Sequence, residues 1–223
     1  MFRATIFADR TEAGQRLAAK IQGLTLKEPI VYALPRGGVP VAAEVAAALG
    51  APLDLILVRK IGAPGQPELA VGAVVNGDDP QIVLNEDVMA MARADMAYIE
   101  SVRDRELQEI ARRRQAYLGP SRPLEPAGRD VIVIDDGMAT GATALAAVRA
   151  LKRRGPARVI LAVPVASAEA ATRLGAEADL VICLEQPEYF QALGMWYADF
   201  HQLGDDEVKR LLKESAARIA RAG

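Results

Sequence analysis

The sequence predicts an α/β protein built on a mainly parallel sheet covered by helices. Three observations carry this expectation. Short β-branched runs alternate along the chain with Ala-rich stretches of helical spacing, which is the pattern of βαβ units. One run, Val131 to Ile134, is apolar without interruption, as suits a central strand buried on both faces. Glycines, or a Gly-Pro pair, close the Ala-rich stretches where helices should stop.

Taken in order, Asp9 to Gly23 places Ala13, Leu17, Ala18 and Ile21 on one helical face before a terminal glycine. Pro29 to Leu34 is a strand, Val39 to Leu49 a helix ended by Gly50, and Leu53 to Val58 a second strand, giving one βαβ unit. Ile61 to Pro80 is rich in Gly, Pro, Asn and Asp around the apolar piece Leu69 to Val75, and reads as a loop with a hairpin. Asn85 is placed to cap one long helix to about Tyr117, with Val88, Met91, Ala92, Met96, Ile99, Leu107 and Ile110 as its apolar stripe. Gly119 to Gly128 holds three prolines and must be irregular. Thr143 to Arg154 and Ala168 to Leu174 are helices, while Arg158 to Val165 and Asp179 to Leu184 are strands. Aromatics gather in Gln186 to Phe200, and Asp205 to Arg221 is an amphipathic helix.

The composition bounds the function. A chain of 223 residues, 51% hydrophobic and 25% charged, suits one globular domain and therefore one active site. Its longest apolar stretches are short and interrupted, so no membrane span is expected; the N-terminus lacks the pattern of a secretion signal, and the expected location is cytoplasmic. The single cysteine, Cys183, lies in a strand pattern and reads as a buried structural thiol. The single histidine, His201, argues against a His-based triad or a multi-His zinc site. With a net charge of -2, and Arg112-Arg113-Arg114 reading as a solvated helix face, nothing points to nucleic acid as a partner.

Chemistry concentrates in Val131 to Thr143. Four hydrophobics carry the strand to the sheet edge where ligands collect in open α/β folds. At that edge Asp135 and Asp136 can each accept hydrogen bonds from vicinal hydroxyls, as on a ribose. Gly137, Thr140, Gly141 and Thr143 then shape a loop whose amides face outward at a helix N-terminus, where a phosphate is well held. The segment describes a ribose 5-phosphate cradle. No Lys follows Gly141 and no G-x-G-x-x-G occurs, so nucleotide hydrolysis and a dinucleotide site both lose support.

With these residues the chain resembles the type I phosphoribosyltransferases, whose fingerprint is four hydrophobics, two acids and a Thr-Gly-x-Thr loop. The resemblance runs the whole length, most closely to small bacterial members. It implies one domain, 1–223, with a parallel-sheet core at about 28–185, flanked by helices, and a small hood from about 1–8 and 186–223. It also implies that Asp135 and Asp136 hold the ribose hydroxyls of phosphoribosyl pyrophosphate (PRPP), and that Gly137, Met138, Ala139, Thr140, Gly141, Ala142 and Thr143 hold its 5-phosphate.

Leu34-Pro35-Arg36-Gly37-Gly38-Val39 alone is a plain βα turn; beside the PRPP segment it looks like the family's pyrophosphate loop. There Arg36 supplies a cation, while Gly37 and Gly38 let the backbone approach an anion in conformations closed to other residues. Arg59 and Lys60 end the next strand at the same sheet edge, and either neutralise the leaving pyrophosphate or form a surface pair. Arg36 and Lys60 are the candidate catalytic residues. Gly62 to Asp79 matches in position the family's flexible lid, the alternative being an ordered hairpin. In Gly194 to Phe200, either Trp196 and Tyr197 stack on an acceptor base with Asp199 at its edge, or the aromatics pack the hood.

The reaction implied is pentosyl transfer from PRPP to a nitrogenous base, purine- or pyrimidine-like, with release of pyrophosphate, a step of nucleotide metabolism. Mg²⁺ would be held mainly by PRPP and water, with no protein metal site. The alternative is a PRPP-sensing or regulatory protein of the same fold without turnover. The partners are PRPP and a small heterocyclic acceptor, with a homodimer left open.

Overall fold

The computed structural model describes residues 6–76 and 80–222, with side chains as far as residue 219. Residues 1–5 of the expected hood and 77–79 of the expected lid lie outside the described residues. Helix α1 (Arg10–Ile21) starts where Asp9 accepts a hydrogen bond from the Glu12 amide, and is followed by β1 (Ile30–Ala33), α2 (Gly38–Leu49) and β2 (Leu53–Leu55). The middle of the chain forms β3 (Val58–Ala63), β4 (Gln66–Val75), β5 (Gln81–Leu84), α3 (Glu86–Met91) and α4 (Met96–Leu118). It then returns through β6 (Asp130–Ile134), α5 (Ala142–Lys152), β7 (Arg158–Val165), α6 (Ala168–Gly175), β8 (Leu180–Glu185), a 3₁₀ turn at Leu193–Trp196 and α7 (Asp205–Ala222).

The five strands β2-β1-β6-β7-β8 form the expected sheet, and every pairing in it is parallel. Strand β6 lies at its centre with all five residues buried. Because successive side chains point to opposite faces, Ile132 and Ile134 meet α1, α2 and α7 through Leu17, Ile21, Val41, Val45 and Leu212, whereas Val131 and Val133 meet α5 and α6 through Val148, Leu151 and Leu174. Both faces are therefore core.

The expected strand Leu53 to Val58 is two strands. After β2 the chain leaves the parallel sheet, and Asn76 pins the departure: its Oδ1 accepts from the Leu57 amide at 2.6 Å and its Nδ2 donates to the Leu55 carbonyl at 3.2 Å. From Val58 the chain builds a second, antiparallel sheet, β3-β4-β5, closed at its tip by a turn at Pro64-Gly65. One face of this sheet buries Ile61, Val71 and Val74 against Ile99, Val102 and Ile110 of α4.

The single long helix expected after Asn85 is broken. Asn85 caps only α3, Arg93 takes a left-handed conformation, and Asp95 starts α4 afresh by accepting from the Tyr98 amide at 2.8 Å. The arginine run is not wholly a solvated face either. Arg112 and Arg113 pair with Glu109 on the surface, but Arg114 turns inward to Asp54 at 2.7 Å. Helix α7, expected in the hood, packs on α2 and buries Val208 and Leu212 in the core. Burial pushes the Cys183 thiol up to about 11, in keeping with a structural role. Among the described residues no helix is long and apolar enough to cross a membrane.

Asp54 is the tie between these parts, since its carboxylate also accepts from the amides of Leu55 and Leu124. Asp54→Ala would leave Arg114 buried without its partner, and loss of one member of such a pair costs about 3–5 kcal/mol. A urea titration should therefore show a lower midpoint with an unchanged slope; a loss below about 1 kcal/mol would show that the pair behaves like a surface one.

Candidate active site at the carboxyl edge of the sheet

Asp135 and Asp136 emerge where β6 runs out of the core, and the structure gives them different surroundings. Asp136 is buried: its Oδ2 accepts from Arg10 Nε of α1 at 2.8 Å, and its backbone carbonyl accepts from the Tyr197 hydroxyl. Asp135 accepts from the Asp136 amide through Oδ1 at 2.9 Å. Enclosure of its carboxyl, and then the neighbouring charge of Asp136, hold the Asp135 pKa well above the usual carboxylate range. One acid is thus paired with an arginine, and the other, among the described residues, accepts from a backbone amide.

The loop after them divides in the same way. Met138 is buried, its amide donates to the Val165 carbonyl at 2.9 Å, and its carbonyl accepts from the Ser167 amide. It therefore extends the sheet pairing and does not face a phosphate, which corrects that expectation. Ala139, Thr140, Ala142 and Thr143 are exposed. Ser167 Oγ donates to the Ala139 carbonyl at 2.7 Å and Arg173 donates to the Thr140 carbonyl, so the loop carbonyls are drawn aside. Gly141, with φ of 65°, leads into α5, whose N-terminus carries no side-chain cap. Amides at such an end suit an anion.

The Arg36 to Gly38 turn lies against this strand end, and its Pro35–Arg36 peptide bond is cis. The glycines are required for space, not for an unusual conformation: Gly37 has φ of -58° and ψ of -39°, which any residue adopts. A Cβ on Gly37 would lie 2.1 Å from Asp136 Oδ2, and one on Gly38 would lie 2.5 Å from the Ile134 carbonyl. The Gly38 amide is already used, donating to the Leu34 carbonyl at 3.0 Å, so it does not serve an anion here. Arg36 is part-exposed and lies 3.7 Å from Asp205.

Arg59 and Lys60 do not share an edge. They are consecutive on β3 of the antiparallel sheet, so they face opposite sides. Arg59 pairs with Glu106 at 2.8 Å and lines a small cavity with Arg36, Arg113 and Tyr117. Lys60 pairs with the exposed Glu68 at 2.7 Å and lines a cleft of about 520 Å³ with Thr143, Arg149 and Arg173. The structure therefore brings Arg59 to the Arg36 turn and Lys60 to the loop before α5. Glu68 lies on the hairpin Gly62 to Val75, which is the ordered form of the expected lid.

The stacking role expected for Trp196 and Tyr197 does not fit. Tyr197 is 3% exposed, tilted against Phe7 and stacked on Phe200, and Trp196 is buried against Phe190. Their rings pack the hood and offer no open face, a consequence of the bridge between Phe7 and Tyr197. Asp199 is exposed but engaged with His201 Nδ1 at 3.0 Å, while His201 Nε2 lies 3.3 Å from Glu207 of α7.

A family model described as the phosphoribosyl transferase domain matches residues 6–192. The chain belongs to the phosphoribosyltransferase family. It is 43% identical over 218 residues to a Mycobacterium tuberculosis protein provisionally named a phosphoribosyl transferase, in strain H37Rv as in strain CDC 1551 / Oshkosh. That alignment covers 98% of this chain and 49% of the relative, so the chain spans about half the length of the curated relatives it matches. The crystal structure of TT1426 from Thermus thermophilus is 44% identical, with a TM-score of 0.82 over 93% of this chain and 98% of that one.

For this member of the family the residue that sequence reasoning missed is Arg10. In sequence it is only the residue after a helix cap; its partner Asp136 is 126 positions away, and no local pattern announces the pair. Arg149 and Arg173, which join Lys60 and Thr143 around one cleft, were hidden for the same reason.

Gly37→Ala should force Asp136 or the turn aside at an overpacking cost of about 1–3 kcal/mol. Gly175→Ala, where a Cβ meets nothing within 4 Å, is the control. Parallel thermal melts should separate the two, and equal melting temperatures would show that the turn yields freely. A second test uses His201, whose pKa Asp199 and then Glu207 raise above its ordinary value. Its contribution to stability is complete below about pH 6.5 and fades as the pH rises through the raised value. The melting temperature of His201→Gln should thus trail the wild type at pH 6 and converge with it in alkaline buffer. A gap that widens with pH would reverse the assignment.

Proposed function

We propose that this protein transfers the 5-phosphoribosyl group of PRPP to a ring nitrogen of a small purine- or pyrimidine-like heterocycle, with release of pyrophosphate. The observation that supports this best is the conjunction, at the end of one buried strand, of the Asp135 carboxyl, which accepts from the Asp136 amide, with the N-terminus of α5, which carries no side-chain cap, one loop further on. A sugar phosphate offers hydroxyls to the first and an anion to the second.

Transfer at an anomeric carbon builds positive charge on the sugar, as in glycoside cleavage, while the departing pyrophosphate gains negative charge. Arg36 and Arg59 would meet that charge from the turn side, while Lys60, on the opposite face of β3, would meet the 5-phosphate beside Thr143. The Lys60–Glu68 pair is exposed and screened by solvent, so exchanging Glu68 for a phosphate oxygen costs little. Mg²⁺, a hard cation that keeps several waters, would draw its oxygen ligands mainly from PRPP and water. When bound it would neutralise pyrophosphate charge.

Calorimetry provides the test. Mg²⁺-PRPP should bind more tightly than ribose 5-phosphate, and Asp135→Asn should weaken PRPP by about 1.5–3 kcal/mol, roughly tenfold to a hundredfold. Unchanged affinity in that variant would remove the ribose assignment. Tight PRPP binding without turnover across a panel of purine and pyrimidine bases would instead identify a PRPP sensor.

A further inference from the structure

We propose that Arg10 is a positioning residue for the ribose acids, through which α1 and the hood set the orientation of Asp135. The inference deepens the reading of Asp135 as the acid that meets the sugar, and rests on it. Asp136 is held by Arg10 through Oδ2, beside the backbone of Gly37. Its fixed amide holds Asp135 Oδ1 at 2.9 Å. Whatever fixes residue 136 therefore fixes the rotamer of residue 135.

Arg10 does this with its whole head group. Nε donates to Asp136 Oδ2 at 2.8 Å, Nη1 donates to the His201 carbonyl at 3.0 Å, and the guanidinium plane lies 3.9 Å above the ring of Phe200. Stacking and two directed bonds leave the fork a single orientation. Both Arg10 and Asp136 are mostly buried. A buried ion pair seldom stabilises more than a well-packed apolar pair would, so stability alone gives little reason for one at the ligand edge. Orientation does. The contacts to Phe200 and His201 place the hood at the far end of the same linkage, three contacts from Asp135.

The inference separates sugar-hydroxyl recognition from phosphate recognition, because the loop from Ala139 to Thr143 is not part of the linkage. The experiment measures affinities of the full chain for ribose 5-phosphate, 2-deoxyribose 5-phosphate, 3-deoxyribose 5-phosphate and inorganic phosphate. It uses the wild type, Arg10→Met and Arg10→Lys. The wild type should favour ribose 5-phosphate over at least one deoxy sugar by about tenfold, the worth of a hydrogen bond to a charged group. In Arg10→Met that ratio should fall towards one while inorganic phosphate binds as before. Arg10→Lys, which keeps the charge and stem but cannot hold two partners with a planar fork, should fall between them and decides the matter if the Met variant does not fold. Arg10 variants that keep the wild-type ratio would overturn the inference and leave the ribose reading standing. So would a parallel loss of every ligand, inorganic phosphate included, since that marks a purely structural arginine. A wild type indifferent to both hydroxyls would instead sink the ribose reading itself, and this inference with it.

Discussion

A strand buried on both faces can place charge only at its ends, and the arrangement of this molecule follows from that constraint on β6. At the entering end, Asp130 is bound by Arg158 and by the Lys27 amide, and Arg158 first of all holds its pKa below the ordinary value. At the leaving end stand Asp135 and Asp136, of which Asp136 is paired with Arg10. Neutralised charge at the first end lets the strand enter the core, and incompletely neutralised charge at the second gives the sheet edge its appetite for donors. The parallel topology then sets β1 and β7 beside β6, so their loops open on the same edge.

Crowding at that edge explains residue types that a ligand alone would not. Gly37 and Gly38 have ordinary backbone angles and are small because Asp136 and the Ile134 carbonyl occupy the room a side chain would need. Tyr197 is spent on the Asp136 carbonyl, and Met138 on sheet pairing with Ala166. The site is assembled from packing and hydrogen-bonding parts, with a few groups, Asp135 and the exposed loop from Ala139 to Thr143, left over for chemistry.

The sheet, its helices and the loop between β6 and α5 were legible in the sequence because their signals are local: a β-branched run, a helical stripe, acids and glycines at fixed spacing. The break at Asp95 was hidden because one aspartate inside an apolar stripe reads equally as a surface residue or as a helix cap. Leu53 to Val58 looked like a single strand because Asn76, which turns the chain aside after Leu55, stands some twenty residues further on. The site failed to be legible in the same way. Arg10 and Arg173 reach it from distant elements, and the rings of Trp196 and Tyr197 look identical in sequence whether they face a base or one another. Residues at fixed spacing stand where the sequence placed them along the chain; the direction in which a side chain turns was not legible.

The contact between the antiparallel sheet and α4 bears on mechanics. Ile61, Val71 and Val74 are buried against Ile99, Val102 and Ile110, and exposing one such aliphatic side chain costs about 1.5–3 kcal/mol. The hairpin tip therefore cannot flap by itself over the phosphate loop without a penalty that grows with each residue uncovered. Helix α4 is held to the core near its far end, where Arg114 grips Asp54 and Tyr117 donates to Asp205. Any travel of the hairpin must therefore either uncover its contact with α4 or carry that 23-residue helix with it.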